Sequence, residues 1–191
     1  LANKVKADIE VIPVANYAHD MPYVLPVSPS PNLNTPQSVL LYPSLCMFEG
    51  TYINLGRGTY FPFTVLGSPA YKGIYEFSFT PTGIKGMAET PLFMDQVCYG
   101  IDLREYDTEK LRASGQINFD WIRELYKASP EKEKFFDSKL SNQMNTIEMQ
   151  IGRGDFRQQI IDGVPMEEIR AGWEPELSAY KKMREKYLLY K

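Results

Sequence analysis

The sequence predicts a mixed α/β fold (α+β), with a small central mixed sheet, accompanying helices and a helix-rich C-terminal part. Two observations favour this class. Short β-prone segments separated by Gly and Pro occupy the chain up to residue 103, and apolar residues at helical spacing follow from residue 118. The 191 residues are enough to bury the core of one domain. We therefore expect residues 1–191 to form a single domain.

Four segments have the composition of strands. Residues 8–14 alternate between apolar and polar side chains, and Pro13 places this strand at an edge or at its own end. Residues 63–66, 75–80 and 97–103 are the other predicted strands, since each is rich in aromatic or β-branched side chains.

The first helix has a clear start signal. Thr35 is placed to cap the helix, and Pro36 suits its first position. The helix is predicted to continue to Phe48 and to stop at Gly50, with a kink at Pro43.

The second half of the chain predicts further helices. Residues 118–128 carry an apolar stripe, and residues 153–162 form a second helix closed by Gly163. Residues 165–171 predict a short helix, and Pro175 is expected to open the last one.

Composition excludes several classes of protein. The chain is 43% hydrophobic and 24% charged with a net charge of −3, which is ordinary for a globular protein and provides no basic surface for nucleic acid. No apolar run is long enough to span a membrane. One histidine, His19, and two cysteines, Cys46 and Cys98, argue against a zinc site. No phosphate-binding or dinucleotide motif is complete, so we expect neither a metal nor a cofactor.

The densest group of polar residues lies in the glycine-rich segment 46–59. Arg57 stands between two glycines, where its planar guanidinium can face a carboxylate. Glu49 follows the predicted helix, at the end where the helix dipole disfavours a negative charge. Two interpretations stay open: a structural Glu49–Arg57 salt bridge that ties the loop, or a site that acts on a substrate.

A proline-rich loop precedes the first helix. Residues 28–32 are held extended by Pro29 and Pro31, and Asn32 follows with both a donor and an acceptor. This residue suits recognition of a hydroxyl or an amide. A turn in which Asn32 bonds its own backbone is an equally good interpretation.

Several sequence blocks together carry a resemblance to a known family. The blocks are residues 30–35, 41–51, 56–63, 79–81, 98–103 and 173–190, and they extend over essentially the whole chain. In this order and spacing they resemble the exo-β-N-acetylmuramidase family of glycoside hydrolases, which was first described as a bacterial domain of unknown function.

The resemblance implies a two-domain enzyme that removes terminal N-acetylmuramic acid from peptidoglycan fragments. It implies an N-terminal Rossmann-like domain and a C-terminal α/β domain, with the active site in the cleft between them. This chain resembles the C-terminal domain alone, and its start at Leu1 rather than Met agrees with that expectation. The main catalytic Glu is expected in the absent domain, so the isolated chain is expected to be inactive.

The resemblance also implies roles for the polar residues. Arg57 is the expected partner of the lactyl carboxylate of the sugar, and Glu49 is a candidate second carboxylate that acts as a base, a nucleophile or a clamp for a hydroxyl. The other expected substrate-binding residues are small and polar: Ser30, Asn32, Thr51, Asn54 and Thr59.

The expected partners are peptidoglycan fragments and the N-terminal domain of the same protein. Because peptidoglycan lies outside the cytoplasm, we expect a periplasmic or cell-surface location. Cys46 and Cys98 could form a disulfide there, although two buried thiols are favoured. The alternative function is a non-catalytic carbohydrate-binding domain or a structural interaction domain.

Overall fold

The computed structural model describes residues 7–137 and 145–190. The chain separates into two compact units, of which one consists of residues 25–172 and the other of residues 1–24 with 173–191. The larger unit contains all the strands and all the buried apolar side chains that the structure describes.

A three-stranded antiparallel sheet lies in the larger unit. Its strands are β1 (Val65–Ser68), β2 (Ser78–Phe79) and β3 (Cys98–Asp102), in the order β1-β3-β2. Gly67 of β1 is paired with Gly100 of β3. The predicted mixed α/β class is thereby confirmed. The sheet itself is antiparallel rather than mixed, since both strand pairs in the described ranges are antiparallel.

Seven α-helices are found in the described part of the chain, mostly after the sheet. They are α1 (Pro36–Leu45), α2 (Thr108–Ser114), α3 (Asp120–Ala128), α4 (Lys132–Phe135), α5 (Thr146–Ile151), α6 (Phe156–Ile161) and α7 (Met166–Arg184). No helix among the described residues is long and apolar enough to cross a membrane.

Apolar side chains from the helices and the sheet form the core of this unit. One cluster consists of one side chain from each strand, Val65, Phe79 and Cys98, together with Phe93. The helices contribute fully buried side chains: Leu41, Leu45, Ile122, Leu125, Ile147, Phe156 and Ile169. Burial of these residues is the main favourable term for folding.

The start of α1 agrees with the sequence prediction. The Thr35 hydroxyl accepts a hydrogen bond from the Ser38 backbone amide, and the Ser38 hydroxyl accepts one from the Thr35 amide. The α-helix ends at Leu45, earlier than predicted, and a 3₁₀ turn (Cys46–Gly50) follows it. This tighter turn determines where Glu49 lies.

Three strand predictions differ from the structure, and in one of them only Ser78–Phe79 of the predicted segment 75–80 is a strand. Residues 8–14 form no strand, because no strand among the described residues pairs with them; the Val14 amide instead donates to the Tyr190 hydroxyl at 2.6 Å. The strand predicted at 63–66 begins two residues later, at Val65, because Phe63 has a positive φ of 55° that no extended strand accepts.

The last two predicted helices are one helix. Helix α7 continues through Pro175, which the sequence placed at a helix start. Because Pro175 has no backbone N–H, the carbonyl of Ala171 lacks its usual hydrogen-bond donor in the helix. Ala171 is exposed, so water can take the place of the missing donor.

In the smaller unit, aromatic rings link the two ends of the chain. The Tyr190 ring packs edge-on against Tyr17 at 4.9 Å and His19 at 5.7 Å between ring centroids. With the hydrogen bond from the Val14 amide, these contacts hold residues 14–19 against residue 190.

Replacing Gly172 by alanine is expected to stabilise the protein by about 0.8–1 kcal/mol, since glycine in a helix interior costs that much relative to alanine. Gly172 is exposed within α7, and a Cβ there would meet nothing within 4 Å. Thermal unfolding should show a higher midpoint. A lowered midpoint would contradict a continuous α7.

The two cysteines are thiols in the structure, with Cys98 buried and Cys46 half-buried. Burial raises the pKa of the Cys98 thiol to about 12. Burial and then the nearby Glu49 carboxylate raise the pKa of the Cys46 thiol.

A thiol reagent at pH 8 is therefore expected to modify the native chain slowly, because the thiolate is the reactive form. Cys46 should react first, and both rates should increase as the pH rises towards each pKa. In denaturant both cysteines should react without prior reduction. Failure to detect thiols there before a reductant is added would indicate a disulfide instead.

Candidate functional site

A cavity of about 530 Å³ opens in the larger unit beside the 3₁₀ turn. Its walls come from the segment 48–57, the loop at residue 92 and helix α5. The residues that matter for its chemistry are Phe48, Glu49, Asn54, Arg57, Leu92 and Gln150. The apolar and polar members together make a cavity suited to an amphipathic ligand such as a sugar.

Glu49 and Arg57 form an ion pair on the wall of this cavity. An Nη2 atom of Arg57 donates to Oε1 of Glu49 at 2.6 Å, and the guanidinium lies 5.0 Å from the centre of the Phe63 ring. The Glu49 side chain is 34% exposed and the Arg57 side chain is 39% exposed. The Glu49–Arg57 salt bridge that one of the two sequence interpretations predicts is thus present. Both side chains also line the cavity, which is large enough for a ligand.

The backbone around Arg57 is built from glycine for a steric reason. Gly56 and Gly58 have φ values of 75° and 86°, a region that other residues rarely adopt. A Cβ on Gly58 would lie 2.5 Å from the Pro91 side chain. The glycines therefore let the loop fold tightly while Arg57 projects from it.

Asn54 lines the cavity and is almost fully buried, with 2% exposure. Its Nδ2 donates to the carbonyls of Leu92 at 2.7 Å and of Arg57 at 3.2 Å. Its backbone also pairs with Gly67 of β1. Asn54 thus ties three segments together at the base of the site.

The two threonines mainly support the loop. The Thr51 hydroxyl donates to the Phe48 carbonyl and the Thr59 hydroxyl to the Gly56 carbonyl, each at 2.7 Å. Thr51 lines the cavity, whereas Thr59 lies outside the cavity lining.

Ser30 and Asn32 lie in the proline-rich loop and are not part of the cavity lining either. The Ser30 hydroxyl accepts a hydrogen bond from the Asn32 amide at 3.2 Å. Nδ2 of Asn32 donates to the Met87 carbonyl at 2.9 Å. Their polar groups therefore connect two loops of the unit.

Three polar residues that the sequence interpretation did not select also line the cavity: Asp137, Thr146 and Gln150. Nε2 of Gln150 lies 3.5 Å from Oε2 of Glu49, across 101 residues of sequence. Thr146 and Gln150 belong to α5, whose local signals are its two caps. The Asn145 side chain accepts from the Ile147 amide at its start, and Gly152 ends it with a positive φ. Nothing in the sequence connects α5 to the segment 46–59.

The described residues contain no group of three or more His, Cys, Asp or Glu side chains that could hold a metal ion. The charges at the cavity are instead those of the Glu49–Arg57 pair, with Asp137 also on the lining. A guanidinium and amides in this arrangement can bind carboxylate, hydroxyl and amide groups of a ligand.

Comparison with known proteins gives consistent results. The chain is 29% identical to the peptidoglycan beta-N-acetylmuramidase NamZ of Bacillus subtilis (strain 168) in an alignment of 204 positions that covers 97% of this chain and 46% of the relative. A crystal structure of a DUF1343 family protein from Bacteroides fragilis NCTC 9343 is 37% identical, with a TM-score of 0.85 over 96% of this chain and 49% of that one.

A second DUF1343 family protein of the same organism shares the fold, with 18% identity and a TM-score of 0.61 over 86% of this chain and 45% of that one. The chain thus spans about half the length of these relatives. The sequence profile described as "Exo-beta-N-acetylmuramidase NamZ, C-terminal" matches residues 40–190. The chain therefore belongs to the family of the C-terminal domain of the exo-β-N-acetylmuramidase NamZ.

Proposed function

We propose that this chain is the C-terminal half of a peptidoglycan-directed exo-β-N-acetylmuramidase, and that its cavity binds the terminal N-acetylmuramic acid. The observation that carries the proposal is the family match over residues 40–190, which includes every residue of the cavity lining. The name of the Bacillus relative gives the substrate class.

The charge of the cavity agrees with this sugar. N-acetylmuramic acid carries a lactyl carboxylate, and a guanidinium has five N–H donors in a planar fork. The Arg57 guanidinium donates one hydrogen bond to Glu49, and its other N–H groups can serve the lactyl carboxylate. The apolar walls, including Phe48 and Leu92, suit the faces of the sugar.

Glu49 has a supporting role in this proposal. Its carboxylate orients the Arg57 guanidinium at 2.6 Å and can accept hydrogen bonds from sugar hydroxyls. Glycoside hydrolysis generally needs two carboxyl groups flanking the bond. We place the main one in the N-terminal half of the full-length enzyme, so the isolated chain binds the sugar without cleaving it.

The proposed compartment is the periplasm or the cell surface, since peptidoglycan is found outside the cytoplasm. The proposed partners are N-acetylmuramic acid-containing peptidoglycan fragments and the N-terminal half of the same enzyme. The shorter length of this chain relative to the proteins it matches supports the second partner.

Calorimetric titration tests this function. The chain should bind N-acetylmuramic acid more tightly than N-acetylglucosamine, which lacks the lactyl carboxylate. It should not release the chromophore from a chromogenic N-acetylmuramic acid glycoside. Equal affinity for the two sugars would contradict the role of Arg57, and turnover by the chain alone would contradict the division between two halves.

The ion pair supports a second candidate, a carbohydrate-binding domain without a catalytic group. The Glu49 carboxylate is already bonded to Arg57, which favours a binding role over an attack on the sugar. Glu49→Gln in the full-length enzyme separates the candidates. Unchanged turnover would favour the binding domain, and a loss in kcat without a matching change in sugar affinity would show that Glu49 contributes to catalysis and would exclude that candidate.

A further inference from the structure

Helix α5 is held very close to the 3₁₀ turn that carries Glu49. Gly50 has no side chain, and a Cβ there would lie 2.4 Å from the Ile147 backbone nitrogen. The two backbones therefore touch. Gln150 follows Ile147 by three residues, so it lies on the same face of α5. This contact places the Gln150 side chain beside Glu49.

Only the nitrogen of the Gln150 carboxamide has a hydrogen-bond partner among the described residues. Its Nε2 donates towards Oε2 of Glu49 at 3.5 Å, which determines which end of the amide is nitrogen. Its Oε1 is buried and has no donor in the described part of the chain. A buried acceptor without a donor is uncommon in a native protein.

Asn54 shows the same feature in the same cavity. Both hydrogens of its Nδ2 are directed to backbone carbonyls, those of Leu92 and Arg57. The orientation of the amide is therefore determined, and its Oδ1 is buried without a donor in the described residues. The cavity lining thus includes two side chains with an unused amide acceptor.

The remaining lining determines what kind of donor fits. Phe48, Ile53 and Leu55 are buried apolar side chains on the cavity lining. A hydroxyl supplies a donor without an apolar group, whereas an acetamido group supplies an N–H donor and a methyl group for an apolar wall. Unused acceptors next to apolar surface therefore favour an acetamido group.

We propose that Gln150 is a substrate-binding residue, and that its Oε1 recognises the acetamido N–H of the sugar. The inference rests on the proposed function and adds a residue and a ligand group to it. The Nε2 contact with Glu49 is long for a hydrogen bond, at 3.5 Å, and the last torsion of a glutamine side chain has a broad energy minimum. A modest rotation of the carboxamide, which leaves Nε2 on the Glu49 side, can therefore turn Oε1 towards the ligand.

The test compares two sugars and two variants of this chain. The sugars are N-acetylmuramic acid and its 2-deoxy analogue, which lacks the acetamido group. Gln150→Met keeps the length of the side chain and removes the acceptor. Gln159→Met is the matched control, because Oε1 of Gln159 is also buried without a donor in the described residues and Gln159 is outside the cavity lining.

Wild type and Gln159→Met should bind N-acetylmuramic acid about tenfold more tightly than the deoxy sugar, because one hydrogen bond contributes about that much to affinity. Gln150→Met should reduce this preference towards onefold while binding the deoxy sugar as wild type does. Gln150→Ala gives the same readout if the methionine variant does not fold.

Equal weakening of both sugars by Gln150→Met would show a structural role and overturn the inference. An unchanged preference would overturn it too. In both cases the proposed function would stand, because wild type still binds the sugar. Binding of neither sugar by wild type would overturn the proposed function itself, and the inference with it.

Discussion

Replacing Arg57 by methionine is expected to weaken binding of N-acetylmuramic acid by about 10- to 100-fold, since hydrogen bonds to charged groups contribute about 1.5–3 kcal/mol. The variant loses the donors for the lactyl carboxylate. It also leaves the Glu49 carboxylate on the cavity wall without the guanidinium that pairs with it at 2.6 Å. Calorimetric titration of the variant measures the effect.

Arg104→Met is a closely matched control. Arg104 also forms a 2.6 Å ion pair, with Asp102, and its guanidinium lies 5.0 Å from the centre of the Phe61 ring. It is outside the cavity lining. The control should bind the sugar as wild type does. Equal losses in both variants would contradict a specific role of Arg57.

The Arg57 variant should also fold. Its ion pair is more than a third exposed on the arginine side, and exposed pairs contribute only about 0–1 kcal/mol to stability. Chemical denaturation should therefore show nearly the same free energy of unfolding as wild type. A large loss of stability would mean that Arg57 is chiefly structural.

Replacing Gly50 by alanine is expected to destabilise the protein by about 1–3 kcal/mol or more, the usual cost of overpacking a core. The new Cβ would lie 2.4 Å from the Ile147 nitrogen and 2.7 Å from its Cα and Cβ. These neighbours are backbone or begin the side chain, so they cannot rotate away. Chemical denaturation measures the loss.

The same substitution should weaken sugar binding, since it forces α5 away from the 3₁₀ turn and Gln150 away from Glu49. Gly154→Ala provides the control, because a Cβ there meets nothing within 4 Å and its backbone has no positive φ. That variant should keep both stability and affinity. A stable Gly50→Ala protein would contradict the close approach of α5.

Local signals in the sequence were sufficient for several elements. Thr35 and Pro36 predicted the start of α1, and the segment 97–103 contains the central strand β3. Each depends on interactions between residues close in sequence, such as a cap, or on strong β propensity. Asp107 and Gly115 are a comparable cap pair for α2, so that helix was also detectable.

Elements that depend on distant partners were not predictable in the same way. Residues 8–14 have strand composition, but a strand needs a neighbour and none is present in the described ranges. Pro175 is a start signal in most contexts, yet α7 passes through it where its backbone is exposed.

The candidate site likewise combines residues that are close in sequence with one that is distant. Glu49, Asn54 and Arg57 are close in sequence, and their grouping around glycines indicated a polar loop. Gln150 reaches this loop from 101 residues away, through a backbone contact at Gly50. The sequence shows the glycine, but it does not show which helix packs against it.

Chemical-shift mapping of the ¹⁵N-labelled chain with N-acetylmuramic acid tests the central claim most directly. Sugar-dependent shifts should cluster at the amides of Glu49, Asn54, Arg57 and Gln150, with the side-chain amide of Gln150 among them. The Arg57→Met variant should lose these shifts at the same sugar concentration. Shifts that avoid the cavity, or a spectrum that the sugar leaves unchanged at millimolar concentration, would contradict the account.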